Sequence, residues 1–147
     1  MNTDELLKLD NQLCFALYVC SKEIIKKYKP ILAPLGLTYT GYIAMLSLWE
    51  KDNITVSELG DTLYLDSGTL TPLLKKLEEV GLVGRLRSRE DERTVVISLT
   101  EKGRSLKKKA LTVPKDLICA VMQGTNKDEV DGARLISDLH KVMHMLK

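Results

Sequence analysis

The stretch SGTLTPLLKKLEEVGLVGRLRSREDERTVVISLT, residues 67–100, decides the fold, because its hydrophobic period changes partway through. Leu70, Leu73, Leu74, Leu77 and Val80 recur at spacings of three and four, which predicts a helix with one apolar face. Gly81 is placed to end it. Pro72 fits such a helix only if it starts late, since a proline beyond the first turn forfeits a hydrogen bond. Leu82–Ser88 and Arg93–Leu99 then read as strands, the second rich in Thr, Val and Ile. The charged tip Arg89-Glu90-Asp91-Glu92 joins them into a hairpin. Burying Leu70, Leu74, Leu77 and Val80 leaves Ser67, Thr69, Thr71, Pro72, Lys75 and Lys76 on or near the open face, while Arg85, Arg87, Arg89, Asp91 and Arg93 decorate the hairpin.

Upstream, Thr55-Val56-Ser57-Glu58 reads as a capping box opening a short helix that ends near Tyr64, and Asp66-Ser67-Gly68 makes a tight polar turn. A short helix, a turn, a second helix and a hairpin make a winged helix-turn-helix, which places the second helix in the major groove of DNA. Before it, Leu13, Leu17, Cys20, Ile24 and Tyr28 predict a helix from about Leu9 to Tyr28, ended by Pro30 and Pro34-Leu35-Gly36. Thr38–Glu50 predicts another, with Tyr42, Met45, Leu46 and Trp49 inward. After the hairpin, Thr100 caps a fifth helix to about Met122, kinked at Pro114. Asn126, with Glu129 three residues on, opens a sixth, striped by Leu135, Leu139, Val142, Met143 and Leu146. The expectation is a single mainly α domain, residues 1–147, with a small β-hairpin. The winged unit spans about 54–99, and helices over about 9–30 and 100–147 are left to join two copies across a two-fold axis.

Charge agrees with a nucleic-acid partner. The chain has 147 residues and a net charge of +2, yet residues 67–109 hold eleven basic against six acidic side chains. Phosphate contacts need such a local block, although a solvated helix and hairpin would show it too. No run approaches the roughly 18 apolar residues of a membrane span. The N-terminal MNTDELLKLD is acidic and lacks a signal-peptide layout, and three cysteines at Cys14, Cys20 and Cys119 fit neither a disulfide framework nor a zinc ribbon. Free thiols in a reducing cytoplasm are expected. His140 and His144 sit four apart but lack further ligands, and Gly81-Leu82-Val83-Gly84 is no phosphate loop, so neither metal nor cofactor is expected.

DERTVVISLT, residues 91–100, resembles the wing signature of the MarR family of regulators. LDNQLCFALY (9–18) and LYLDSGTLTPLL (63–74) are similar to its organic-hydroperoxide-sensing repressors and SarZ-type members, and SKEIIKKY (21–28) and LTYTGY (37–42) to the SarZ branch in particular. The resemblance implies a homodimeric repressor of a pseudo-palindromic DNA operator, with a sensing thiol on Cys14 and tyrosine partners on Tyr18, Tyr28 and Tyr39. On that resemblance no enzymatic activity is expected.

Spacing adds detail to that picture. Cys14 and Tyr18 share a helix face, whereas Tyr28 lies about 21 Å along the helix from Cys14, so its contact must come from the other subunit. Cys20 is about 9 Å along and 240° around, too far for an intrachain bridge, and reads as core. An organic hydroperoxide is expected to oxidise Cys14, which a small cellular thiol then caps, with a bridge to Cys119 of the partner subunit as the alternative. Arg93 is expected in the minor groove. Two other readings stand beside this one: a regulator released by a phenolic ligand near Tyr39 and Tyr42, and a thiol peroxidase, which leaves the wing unexplained.

Overall fold

The computed structural model describes residues 2–91, 93–123 and 129–147. A short helix α1 (Thr3–Leu6) and a 3-10 turn (Leu9–Asn11) lead into α2 (Leu13–Leu32). Then come α3 (Tyr39–Glu50), β1 (Ile54–Thr55), α4 (Val56–Leu63) and α5 (Ser67–Glu79). The hairpin β2 (Val83–Arg87) and β3 (Val95–Leu99) follows, then α6 (Glu101–Ala110), α7 (Val113–Val121) and α8 (Gly132–Met145). The sheet order is β1-β3-β2, all antiparallel, with Ile54 opposite Ile97 and Val83 opposite Leu99. Helical content with a small sheet is the architecture the residue spacing implied.

Local signals explain most element ends. Thr55 and Glu58 form the capping box reciprocally, Glu58 N donating to Thr55 Oγ1 at 3.0 Å and Thr55 N to Glu58 Oε2 at 3.2 Å. Thr38 caps α3 by accepting from Gly41 N, and Gly81 adopts φ +78 behind α5. Leu59, Leu70, Leu74, Leu77 and Ile97 close the core of the winged unit against Met45 and Leu48 of α3.

Several expectations change. Pro30 does not end α2, which runs to Leu32, because the bond it forfeits is near the helix end on an exposed face. Pro72 likewise sits inside α5, which starts early at Ser67; the carbonyl that loses its helical donor belongs to Gly68, which is exposed to solvent. The fifth helix is not kinked but broken at Leu111-Thr112, and Pro114 occupies the first turn of α7, where no N–H is needed. β1 and α1 were not foreseen. Leu46 and Val80 are exposed rather than inward. The final helix starts at Gly132, with Asp131 accepting from Arg134 N at 3.1 Å, while the expected cap Asn126 lies outside the described residues. Its stripe is uncovered: no residue of α8 is buried.

Hydrogen bonds tie the hairpin to its surroundings and α3 to α6. Asp52 Oδ1 accepts from Leu99 N at 2.8 Å, and Arg104 Nη1 donates to Leu99 O at 3.0 Å. Thr100 caps α6 by accepting from Gly103 N at 3.0 Å, while its own hydroxyl donates to Gly81 O at 2.6 Å. Trp49 of α3 donates its indole N–H to Gly103 O at 2.9 Å. These bonds fasten the base of the hairpin, at Gly81 and Leu99, to α6 and to Asp52 behind α3.

Candidate nucleic-acid interface and thiol site

Between α4 and α5 the chain turns through Tyr64, in the left-handed region at φ 56, and Leu65 N returns to Gly60 O at 3.0 Å. Asp66 then caps α5 by accepting from Thr69 N at 2.8 Å. That backbone bond, with a side-chain bond from Thr69, holds the Asp66 carboxyl below its ordinary range. With Leu70, Leu74 and Leu77 buried, Ser67, Thr69, Thr71, Pro72, Lys75 and Lys76 are all exposed. This face offers hydroxyls, a proline ring and two ammonium groups, a surface suited to phosphates and thymine methyls more than to bidentate base reading.

In the wing, Arg87, Arg89 and Arg93 are exposed. Arg85 is also largely exposed but engages Glu78 of α5, Nε to Oε2 at 2.6 Å. Asp91 builds the tip: its Oδ1 accepts from Arg93 N at 3.0 Å and its Oδ2 from Thr94 Oγ1 at 3.3 Å. Its carboxylate is thus spent on the turn at Arg93 and Thr94. An open groove of about 630 Å3 lies between the hairpin, α5 and the start of α4, lined among others by Ser57, Thr71, Arg85, Arg93 and Thr94. Ser57, Thr94 and Glu78 were absent from the sequence-derived site. The heptad step from Thr71 to Glu78, which shares a helix face, was the available signal.

The thiol site is divided. Cys14 is exposed in the first turn of α2, and Tyr18, one turn on, is 61% exposed, with Lys22 Nζ 5.3 Å from its ring centroid. At the other end of α2, Tyr28 packs on Tyr39 of α3 at 4.9 Å between centroids and on Tyr42 at 5.7 Å. Burial, reinforced by Tyr39 and Tyr42, pushes the Tyr28 phenol up to about 12, so it stays a proton donor throughout the physiological range. Burial and Tyr39 raise Tyr42 as well. Within one chain the structure brings the tyrosines together and leaves Cys14 and Tyr18 apart from them.

Cys20 is exposed, not core, because the face of α2 that carries it has no cover within the chain. Cys119 is exposed on α7, which packs along α2, and its neighbours Ile118 and Val121 are exposed too. Of the two tyrosines named for a phenolic ligand, Tyr42 lines a separate groove of about 410 Å3 with Leu46, Trp49 and Pro114; Tyr39 does not. His140 and His144 lie exposed on α8, His144 Nδ1 2.6 Å from His140 O, and among the described residues no three metal-binding side chains converge. No single described helix is long and apolar enough to cross a membrane.

Comparison with known proteins agrees with this geometry. The profile of the transcriptional regulator SarA/Rot family matches residues 26–110. The organic hydroperoxide resistance transcriptional regulator of Bacillus subtilis is 54% identical over 117 residues, 80% of each chain. The regulator SarZ of Staphylococcus epidermidis is 45% identical over 131 residues, 89% of this chain and 86% of the relative. The solved structure of reduced AbfR bound to DNA superposes with a TM-score of 0.75 at 33% identity, covering 98% of this chain and 97% of that one.

Proposed function

Because this chain belongs to the SarA/Rot-type, MarR-like family of transcriptional regulators, it is a DNA-binding regulator and not an enzyme, and we propose that it is a homodimeric repressor switched by oxidation of Cys14. The observation that carries the reading is the split thiol site. Cys14 stands on an uncovered surface, while the half-buried phenol suited to hold a thiolate lies about 21 Å along the same helix. A second copy packed on that surface is what would join Cys14 of one chain to the Tyr28–Tyr39 pair of the other.

The exposed area supports a dimer. The chain exposes 11097 Å2, whereas a compact monomer of 16.5 kDa exposes roughly 7,600 Å2. Over two chains the excess is roughly 7,000 Å2, more than the roughly 2,000–5,000 Å2 that an obligate interface buries in total, so a two-fold partner needs to cover only part of it. Its apolar part lies where a two-fold partner would sit: Leu6, Leu13 and Phe15 near the start of the chain, Ile118 on α7, and Ile136 and Leu146 at the end. Pairing there presents two α5 helices to the half-sites of a pseudo-palindrome in the cytoplasm.

The Cys14 thiol takes one oxygen from an organic hydroperoxide, giving sulfenic acid and the corresponding alcohol. A small cellular thiol then displaces water and leaves a mixed disulfide; the alternative second thiol is Cys119 of the partner subunit. Either way the thiolate charge is lost and bulk is added beside the tyrosines. That shifts the first helices of the two subunits and, with them, the spacing of the groove helices. The test is duplex binding by the wild type and Cys14→Ser, with and without cumene hydroperoxide plus cysteine. Wild type should release DNA and recover on reduction, while Cys14→Ser should stay bound. Release of Cys14→Ser by peroxide would overturn the mechanism and favour another sensing group.

A further inference from the structure

The alternation of β2 is inverted for a solvated wing. Residues opposite each other in an antiparallel pair share a face, and Val83, Arg85 and Arg87 oppose Leu99, Ile97 and Val95. Leu99 and Ile97 are buried, so Arg85 leaves the strand on the core-side face, toward α5, while Leu86 points outward at 69% exposure. A hairpin serving only solubility would carry its arginine outside and its leucine inside. Here the cation is directed into the groove between hairpin and helix.

Glu78 is what Arg85 meets on that side. It lies seven residues after Thr71, two turns along one face of α5, and Thr71 and Leu74 of that face line the same groove. Glu78 Oε2 takes only the Nε of Arg85, at 2.6 Å. Among the described residues no other hydrogen bond engages the guanidinium, so its Nη1 and Nη2 groups stand free in the fork that matches a phosphate. Arg93 lines the same groove, its backbone N–H held by Asp91.

We propose that Glu78 is a positioning residue for DNA binding, holding Arg85 by Nε so that its free fork takes one backbone phosphate of the duplex in the groove shared with Arg93. This rests on the DNA-binding reading above and deepens it. A carboxylate beside a phosphate site costs some repulsion. The gain is that a long side chain with high rotamer freedom is ordered before DNA arrives.

The experiment measures affinity against salt for a duplex recovered by in vitro selection with the wild-type protein. Arg85→Ala should weaken binding about tenfold and reduce the salt slope by roughly 0.9 for each phosphate no longer neutralised. Glu78→Ala should reproduce most of both changes, whereas Glu78→Gln, which keeps an oxygen for Nε, should stay within about twofold of wild type. In the Arg85→Ala background, Glu78→Ala should add nothing. Thermal melting and the emission of Trp49 check that each variant is folded, and the Gln variant keeps the comparison open if the Ala variant is not. Tighter binding by both Glu78 variants would show a competing carboxylate and overturn the proposal. So would an unchanged Glu78→Ala, or an equal loss in the Arg85→Ala background. Failure of the wild type to yield any selected duplex would instead overturn the DNA-binding reading on which this rests.

Discussion

Substituting Gly103 by Ala should uncouple the wing from the helices behind it. A Cβ at that position would stand 2.1 Å from Leu82 O, 3.1 Å from the Leu82 carbonyl carbon and 3.2 Å from Leu99 Cδ2. Carbon–oxygen contact requires about 3.3 Å, and the obstacle is backbone, so α6 must withdraw from β2 by roughly 1.2 Å. The bonds most directly exposed to that shift are Thr100 N to Leu82 O at 3.1 Å, Gly103 N to Thr100 Oγ1, and the Trp49 indole to Gly103 O. Overpacking costs about 1–3 kcal/mol, a lost helix cap about 1, and a lost hydrogen bond about 1. A net loss of about 4 kcal/mol corresponds to a fall in Tm of roughly 8–16 °C for a chain of this size. Melting must be compared at one protein concentration, because dimerisation would shift Tm by mass action. Trp49 is the only tryptophan, so its emission reports this seam and should move to the red as the indole loses its carbonyl partner. Gly84→Ala is the control, since nothing lies within 4 Å of its added carbon. Gly103→Ala melting within about 2 °C of wild type, with unchanged Trp49 emission, would refute the reasoning.

Two further outcomes follow from the geometry. Tyr28 should ionise late: the fold favours its neutral phenol, so the stability it contributes is complete below the unfolded value near 10 and is lost as pH rises through about 12. Tyrosinate absorbance should show a late step that Tyr28→Phe removes, and a single step near 10 for every phenol would contradict the cluster. Asp52→Ala should cost about 1–2 kcal/mol in urea unfolding, because Leu99 N and Asn53 N both lose their acceptor at 2.8 Å. Asp52→Asn, which keeps an oxygen, should recover most of it.

The helix-turn-helix and its wing were legible in the sequence because their signals are local. The spacing of Leu70, Leu74 and Leu77, the Thr55–Glu58 box, the Asp66 turn and Gly81 each act within one or two turns of chain, and all hold in the structure. The resemblance in residues 9–18 singled out Cys14 in the same way, from neighbours in sequence. Proline positions were read less well, because whether Pro30 or Pro72 breaks a helix depends on whether the orphaned carbonyl faces water, and exposure is a tertiary property. Two-residue β1 has too little period to announce itself and exists because β3 supplies its partner. The binding of Arg85 by Glu78, the packing of Tyr28 on Tyr39 and the bareness of Cys20 and α8 are likewise decided in three dimensions. Periodicity states which side of a helix is apolar. Only the packed chain decides which of those sides its own residues cover and which it leaves for another molecule.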